Sequence, residues 1–242
     1  MKSHDIVLII PAFEEASRLA AVLAGVAESG APVDVVVIDD GSQDATSRVA
    51  REAGAIVLRH PCNLGYGAAV QTGYKYALRS GARQLVQMDA DGQHDPTAIV
   101  QLLDALDSGD WDLVVGSRFL EAGDYRMSLP KRLGRDLFRG VARLLGMSVT
   151  DPTSGFQAMN RRVLEFYCGD FFPSDFPDVD VLFAVHRQGL RILEVPVHMN
   201  EGLRKSSIHS GLRTLYYPYK ILLSLWAVPA RRTEQSDLGD PR

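Results

Sequence analysis

Two aspartates, Asp89 and Asp91, follow the apolar run Leu85 to Met88 and carry the clearest chemistry in the sequence. In an extended chain, residues i and i+2 point to the same side, so these two carboxylates converge on one point. The two charges repel each other unless a cation lies between them. Carboxylate oxygens suit Mg²⁺ or Mn²⁺, which keep coordination positions free for diphosphate oxygens. Taken alone, the spacing also fits a solvated acidic turn before a helix, but polar turns after other strands favour a metal site.

A second acidic pair, Asp39 and Asp40, follows the apolar run Val35 to Ile38 and precedes a helical pattern. A carboxylate at this position can accept hydrogen bonds from a nucleobase imide or from ribose hydroxyls. A capped strand-to-helix turn explains Ser42 and Asp44, either of which can cap the helix, but not the adjacent acids. The pair therefore predicts a nucleoside contact.

A glycine-rich turn contains Asn63, Gly65 and Gly67. It lacks the lysine of a P-loop and the third glycine of the dinucleotide fingerprint. We therefore interpret it as a tight strand-to-helix turn near the donor.

The elements that must position these residues are short Val- and Ile-rich runs alternating with helical patterns. This alternation predicts an α/β domain with one mostly parallel central sheet and helices on both faces. Polar turns that end such strands meet at the carboxyl edge of the sheet, where ligands bind. The predicted strands are Ile6–Ile10, Val33–Ile38, Ala55–Leu58, Leu85–Met88, Leu113–Val115 and Ile192–Val195, and the predicted helices are Glu15–Glu28, Ala45–Ala53, Ala68–Leu78 and Pro96–Leu106.

Composition excludes several classes of protein. The 242 residues are 46% apolar, enough for the core of one domain, and the net charge of −4 without a long basic tract argues against a nucleic-acid partner. Cys62 and Cys168 lie far apart without histidines at zinc-ligand spacing, which favours a reducing cytoplasm over a disulfide framework. The first apolar run is too short for a signal peptide, and no run reaches the roughly 20 residues that span a bilayer.

A series of short motifs makes the pattern more specific. In order along the chain they are Pro11-Ala12-Phe13-Glu14-Glu15, Asp39-Asp40-Gly41-Ser42, Asn63-x-Gly65-x-Gly67, Asp89-Ala90-Asp91-Gly92-Gln93-His94, Gly116-Ser117-Arg118-Phe119, Ser154-Gly155-Phe156 and Glu194-Val195-Pro196. From residue 6 to about residue 205 this ordered set resembles family 2 glycosyltransferases. It is most similar to the branch of dolichol-phosphate mannosyltransferases and polyprenyl-phosphate glycosyltransferases.

The resemblance implies a GT-A fold and an inverting hexose transfer from GDP-mannose or a UDP-sugar, with a divalent cation. By position, the nucleoside would be held by Pro11, Glu15, Asp39 and Asp40. The metal and diphosphate would be surrounded by Asp89, Asp91 and Gln93. Asp91, Arg118 and Asp180 would be catalytic, the last two in the acceptor half. Further substrate-binding candidates are Asn63, Gly65, Gly67, Arg132, Ser154, Arg204 and Lys205.

The chain departs from the family pattern at two places. Glu14 stands where the family usually has asparagine, so an amide contact to the nucleoside is missing or replaced. Arg204 and Lys205 precede Ser206 and Ser207, whereas the family places its basic residue after the serine. These two basic residues can still reach a phosphate.

The acceptor decides whether a general base is needed. A lipid phosphate is a phosphate monoester, which loses its second proton at about pH 6 and is already anionic near neutral pH. A sugar or protein hydroxyl would need a base, for which Asp178 or Asp180 is the candidate. Both aspartates also fit the negative charge that is common at the start of a helix.

Two segments predict contact with a membrane or with another protein. Residues 131–147 form an amphipathic helical pattern that either lies in the lipid headgroup plane or docks on the sheet with its basic side in water. The basic stripe consists of Arg132, Arg135, Arg139 and Arg143. Leu212 to Val228 is apolar and aromatic with basic flanks, and it lies on a membrane, docks on the domain or pairs with another subunit.

The sequence therefore predicts a catalytic domain over residues 1–205, an interfacial helical segment over 206–232 and a flexible tail over 233–242. The leading interpretation is hexose transfer to a polyprenyl phosphate, peripherally attached at the cytosolic membrane face. The alternatives are a soluble family member acting on a saccharide or other hydroxyl, and a non-catalytic nucleotide-sugar sensor. The intact acid pair and Arg118 argue against the sensor.

Overall fold

The computed structural model of the chain describes residues 5–120, 140, 146, 147, 149–174, 177 and 179–199. The chain divides into two units, Met1–Arg204 and Lys205–Arg242, and every described residue belongs to the first. None of the helices within the described ranges is long and apolar enough to cross a bilayer.

Strands and helices alternate through the first half of the chain. The elements of the described residues are β1 (Ile6–Ala12), α1 (Ala16–Glu28), β2 (Asp34–Asp39), α2 (Thr46–Glu52), β3 (Ile56–Arg59), α3 (Tyr66–Arg79), β4 (Gln84–Gln87), α4 (Ala98–Asp107), β5 (Leu113–Ser117), β6 (Gln157–Asn160), α5 (Arg161–Tyr167), α6 (Val179–Arg187) and β7 (Ile192–Pro196). The six strands and four helices that were predicted with bounds each begin and end within two residues of an observed element.

The strands form one sheet in the order β3-β2-β1-β4-β6-β5-β7. Neighbouring strands are parallel except at β6, which runs antiparallel to both β4 and β5. The predicted mostly parallel α/β sheet is therefore confirmed.

The sequence analysis missed β6. This strand has only four residues, with polar Gln157 and Asn160 at its ends, and its central Ala158 pairs with Val86 of β4 and Val114 of β5. Because β6 is antiparallel, the residues that precede it lie at the edge where β4 and β5 end. The segment 151–156 is thereby brought to the predicted ligand-binding edge.

Both faces of the sheet are covered. Leu8 and Ile10 of β1 belong to a buried apolar cluster that includes Leu19 of α1 and Leu102 of α4. On the other face α3 packs closely, since a Cβ added at Gly73 would lie 2.9 Å from side-chain atoms of Ile9 and Ile38. A strand buried on both faces reads as a continuous apolar run, which is why β1 was recognisable in the sequence.

Candidate active site

The acid pair lies directly after β4, at the carboxyl edge of the sheet. Asp89 Oδ1 accepts a hydrogen bond from the Tyr66 hydroxyl at 2.8 Å. Asp91 accepts one from the backbone N–H of Gln93 at 3.0 Å and another from the Gln93 side-chain amide. Both carboxylates are partly exposed to solvent, so a ligand can reach them.

His94 packs beside the pair as a neutral ring. The backbone N–H of Asp89 donates to His94 Nδ1 at 3.1 Å, so the ring proton sits on Nε2, which lies 3.8 Å from Asp89 Oδ2. The ring stacks on Phe156 at a centroid distance of 4.8 Å. Burial lowers the pKa of His94 more than the nearby carboxylates raise it. His94 therefore brings no positive charge to the aspartates near neutral pH.

The environment of the two aspartates fits a hard divalent cation. Their hydrogen-bond partners are neutral, and in the described part of the chain no lysine or arginine forms an ion pair with either. Within the same residues no cluster of three or more His, Cys, Asp or Glu side chains is arranged to hold a metal alone. Mg²⁺ is commonly held by one or two carboxylates together with water and substrate phosphates. Asp89 and Asp91 match that mode of binding.

Gly155 closes one side of the acid pair. A Cβ added there would lie 2.9 Å from the Tyr66 hydroxyl and 3.0 Å from Asp89 Oδ2. The neighbouring Ser154 is buried, and its hydroxyl donates to the carbonyl of Gly116 at 2.6 Å. Ser154 thus ties the segment before β6 to the end of β5, while Gly155 leaves room for the carboxylate.

The acidic pair after β2 is buried and engaged with the protein. Asp39 accepts hydrogen bonds from the backbone N–H of Ser42 at 2.8 Å and from the Ser47 hydroxyl. Asp40 accepts from the backbone N–H groups of Leu64 and Gly65, both at 2.9 Å. Asp39 and Asp40 therefore also stabilise the local fold. The sequence alone gave no structural reason for this adjacent pair.

Asp40 also contacts His60, whose Nδ1 lies 2.7 Å from Oδ1. Gly65, with φ of +101°, precedes α3 in a conformation that favours glycine. At Gly67 an added Cβ would lie 2.2 Å from the carbonyl oxygen of Pro173. Asn63 is exposed at this turn. The predicted tight turn is confirmed, and Asp40 supplies the acceptors for its backbone N–H groups.

The turn after β1 is bound to the turn after β2. The N–H of Glu14 donates to Ser42 Oγ at 3.0 Å, and Glu14 Oε1 accepts from the N–H of Gln43 at 2.7 Å. Glu14 has φ of +58°, which is uncommon for a residue other than glycine, asparagine or aspartate. The glutamate that replaces the usual asparagine thus holds the two turns together.

The other predicted nucleoside contacts lie beside this junction. Pro11 is buried in β1 opposite Ile38, and the Glu15 carboxylate pairs with Arg18 at 2.6 Å. Asp44 accepts from the N–H of Thr46, the first residue of α2, at 2.9 Å. Of the two candidate caps of α2, Asp44 thus binds the first N–H of the helix, whereas the hydroxyl oxygen of Ser42 accepts from Glu14.

Arg118 is held in a fixed orientation at the end of β5. Its Nε and Nη2 donate to the two carboxylate oxygens of Asp151, both at 2.7 Å, and Asp151 is fully buried. Glu194 in turn accepts from the backbone N–H groups of Thr150 and Asp151 at 2.6 and 2.8 Å. Burial raises the pKa of Glu194 despite these hydrogen bonds. The Glu194-Val195-Pro196 motif therefore supports the turn that carries the partner of Arg118.

These contacts join all the motifs found in the sequence into one connected site. The model of the family described as glycosyl transferase family 2 matches residues 7–168 of the chain. The chain belongs to this family.

Two curated proteins are similar to this chain over most of their length. The polyprenol monophosphomannose synthase of Mycolicibacterium smegmatis is 33% identical over 236 residues, covering 93% of this chain and 87% of that protein. The undecaprenyl-phosphate mannosyltransferase of Micrococcus luteus is 32% identical over 218 residues, covering 86% and 88%.

A solved structure shows the same fold. Glucosyl-3-phosphoglycerate synthase from Mycobacterium tuberculosis, crystallised with Mn²⁺, uridine diphosphate and glucosyl-3-phosphoglycerate, superposes with a TM-score of 0.70 at 22% identity. The match covers 95% of this chain and 81% of that one. The predicted GT-A fold is therefore confirmed.

Asp180 lies at the start of α6. It is buried in the first turn of α6, and its Oδ1 accepts from the N–H of Val181 at 3.0 Å. Its charge contributes to the raised pKa of Tyr167, which is caused mainly by burial. Its predicted catalytic role stays a prediction. Four other predicted residues, together with the basic stripe and the apolar segment 212–228, lie outside the described residues: Arg132, Asp178, Arg204 and Lys205.

Sequence reasoning missed several residues of this family 2 site. Asp151 carried one available signal, because a partly buried arginine needs a counter-charge, but its pairing across 33 residues could not be read from spacing. Tyr66 lies between Gly65 and Gly67, and the glycine-rich motif is defined by these glycines, so the motif carries no signal for the tyrosine. Gln87 interrupts the apolar run Leu85 to Met88, where a polar residue signals a buried hydrogen bond.

Proposed function

We propose that this chain transfers a hexose from a nucleotide sugar to a polyprenyl phosphate, with inversion at the sugar. The observation that carries the proposal is the acid pair Asp89 and Asp91, which stands at the carboxyl edge and whose hydrogen-bond partners among the described residues are all neutral. The near full-length similarity to two enzymes named for polyprenyl substrates supports this choice of acceptor.

The donor would lie across the edge from β2 to β4. Its nucleoside would contact the joined turns after β1 and β2, at Pro11, Glu15, Asp39 and Asp40. Its diphosphate would lie at Asp89, Asp91 and Gln93, beside the turn of Asn63, Gly65 and Gly67. Mg²⁺ or Mn²⁺ bound there would supply neutralisation of the charge that develops on the leaving diphosphate. Asp89 and Asp91 would hold that ion, and the fixed turns would orient the donor for displacement.

The acceptor would approach from the side of Arg118. Its planar guanidinium is oriented by the Asp151 carboxylate, and from this fixed position it would contact an anionic acceptor. A lipid phosphate carries its own negative charge, so the reaction needs no strong base.

Membrane attachment is part of the proposal. A polyprenyl phosphate resides in a bilayer, so the protein must work at its surface. The basic stripe of segment 131–147 would contact anionic headgroups, and Arg132, Arg204 and Lys205 would add positive charge for the acceptor phosphate. We place this contact at the cytosolic membrane face, with a homo-oligomer or a membrane-protein partner as the alternative use of segment 212–228.

A transfer assay tests the proposal. Purified protein is incubated with GDP-mannose or UDP-sugars and Mn²⁺ or Mg²⁺, and with either a polyprenyl phosphate or a saccharide acceptor. We expect labelled sugar on the lipid phosphate, loss of transfer on chelation, and restoration by added Mn²⁺. Asp91→Asn should abolish transfer while the protein stays folded.

Two results would contradict the proposal. Transfer to a saccharide without transfer to the lipid phosphate would assign a hydroxyl acceptor. Donor binding without turnover, at equal levels in wild type and Asp91→Asn, would indicate a nucleotide-sugar sensor.

A further inference from the structure

A directed chain of hydrogen bonds runs from the protein core to Asp89. The Tyr74 hydroxyl donates to Gln87 Oε1, and Gln87 Nε2 donates to the Tyr66 hydroxyl oxygen at 2.9 Å. The Tyr66 O–H then donates to Asp89 Oδ1 at 2.8 Å. Tyr74 and Gln87 are buried, and Tyr66 is half-buried at the start of α3. The chain ends on a carboxylate that the proposed function assigns to the cation.

The chemistry of the groups fixes the direction of this chain. An ionised carboxylate only accepts hydrogen bonds, so Tyr66 uses its single proton on Asp89. The Tyr66 oxygen is then an acceptor, and Gln87 must turn its amide nitrogen toward it. The reversed amide would set two acceptors against each other. Burial raises the pKa of Tyr74 well above its ordinary value, so Tyr74 keeps the proton that it donates to Gln87.

Tyr66 is held from its backbone as well as from its ring. The next residue, Gly67, approaches the carbonyl of Pro173 so closely that a Cβ would lie 2.2 Å from it. The N–H of Ala68 donates to the carbonyl of Ser174 at 2.9 Å. These contacts fix the first turn of α3, and this turn places the Tyr66 hydroxyl beside Asp89.

We propose that Tyr66, oriented by Gln87, is a positioning residue that sets the plane of the Asp89 carboxylate for the divalent cation and the donor diphosphate. This inference rests on the proposed function. One oxygen of Asp89 is bound by Tyr66, and Gly155 leaves space beside the other. Without the phenolic O–H, the carboxylate can rotate about its Cβ–Cγ bond, and its geometry for the ion is lost.

Titration of Mn²⁺ followed by electron paramagnetic resonance tests this role directly. Wild type, Tyr66→Phe and the control Tyr76→Phe are titrated in the presence of GDP or UDP. Tyr76 lies on the same helix, and its hydroxyl makes no hydrogen bond within the described residues. Removing a partner that orients a metal ligand commonly weakens metal affinity about 10- to 100-fold. We expect a loss of that size for Tyr66→Phe and none for Tyr76→Phe.

Two further measurements separate positioning from a general structural role. Tyr66→Phe should bind the nucleotide in EDTA as wild type does, although its melting temperature falls because the amide of buried Gln87 loses its acceptor. Unchanged Mn²⁺ affinity in Tyr66→Phe would overturn the inference, as would a parallel loss of metal-free nucleotide binding. A wild-type protein that binds no Mn²⁺ with either nucleotide would instead overturn the proposed function itself.

Gln87→Met provides a second test if Tyr66→Phe does not fold. This change removes the amide that orients Tyr66 but keeps the tyrosine hydroxyl and the side-chain length. We expect a smaller, several-fold loss of Mn²⁺ affinity. Wild-type affinity in a folded Gln87→Met protein would also overturn the inference.

Discussion

Replacing Asp40 by asparagine removes one negative charge and one hydrogen-bond acceptor from the turn after β2. In the wild type, Oδ1 faces His60 and the N–H of Leu64, while Oδ2 accepts from the N–H of Gly65. An asparagine can keep its oxygen at the first position, but its NH₂ group then faces the N–H of Gly65. Two donors meet in a buried site, and the N–H of Gly65 loses its partner.

The magnitude follows from those contacts. A hydrogen bond to a charged group contributes about 1.5 to 3 kcal/mol, and a buried donor left without a partner costs about 1 to 3 kcal/mol. These two contributions overlap, so we expect Asp40→Asn to lower the free energy of unfolding by about 3 kcal/mol. For a domain of this size that corresponds to a fall in Tm of about 6 to 12 °C.

Thermal unfolding and nucleotide binding, measured on the same samples, check this prediction. Asp104→Asn is the control, since it removes the same charge from the exposed face of α4. Asp40→Asn should lose stability, whereas Asp104→Asn should not. If Asp40→Asn keeps the wild-type Tm but binds nucleotide more weakly, Asp40 is a ligand contact and not a support of the turn.

Three other changes have outcomes that the structure fixes. Gly155→Ala should lower metal-dependent transfer about 100-fold, because the new methyl group displaces Asp89 and small misplacements have effects of that order; unchanged turnover would show that the carboxylate has room to spare. Burial raises the pKa of Glu194, so its contribution to stability is largest below its unfolded pKa and falls as pH rises through its folded pKa. The stability advantage of wild type over Glu194→Gln, from urea unfolding, should therefore shrink between pH 4 and pH 7, and a growing advantage would contradict the assignment. Neutral substitution of Arg132, Arg135 and Arg139 should weaken binding to anionic liposomes about 100-fold, since each arginine contributes about 1 kcal/mol. Undiminished flotation of the substituted protein with the liposomes would exclude this surface as the membrane contact.

The strands β3, β2, β1 and β4 were predictable because the residues that identify each strand and its turn are neighbours in the sequence. The run Leu85 to Met88 is buried, and the two acids that follow it stand at the strand end, as the spacing requires. The same holds for β1 and β2, whose ends carry the motif residues directly. Sequence order alone then places these turns at one edge, because parallel strands share their carboxyl ends.

The contacts between motifs were not predictable, because they depend on side chains that meet only after folding. Tyr66 and Asp89 are 23 positions apart, and Arg118 and Asp151 are 33 apart. Nothing in the periodicity of β6 signals its insertion between β4 and β5, since a four-residue strand carries too few positions to show alternation. Hydrogen bonds of buried acids such as Asp40 were likewise hidden, because a carboxylate has the same sequence signature whether it binds a ligand or a backbone N–H.

Because β6 is antiparallel to β5, the connection between these two strands is a segment of the chain that can vary. β5 ends at Ser117 and β6 begins at Gln157 on the same edge, so the chain leaves the sheet and returns to it at neighbouring points. An excursion with both ends anchored side by side can change in length or composition while the strand pairings on either side stay intact. Substitutions between these two anchors can therefore change the acceptor side while the strand pairings that place Asp39 and Asp89 stay intact.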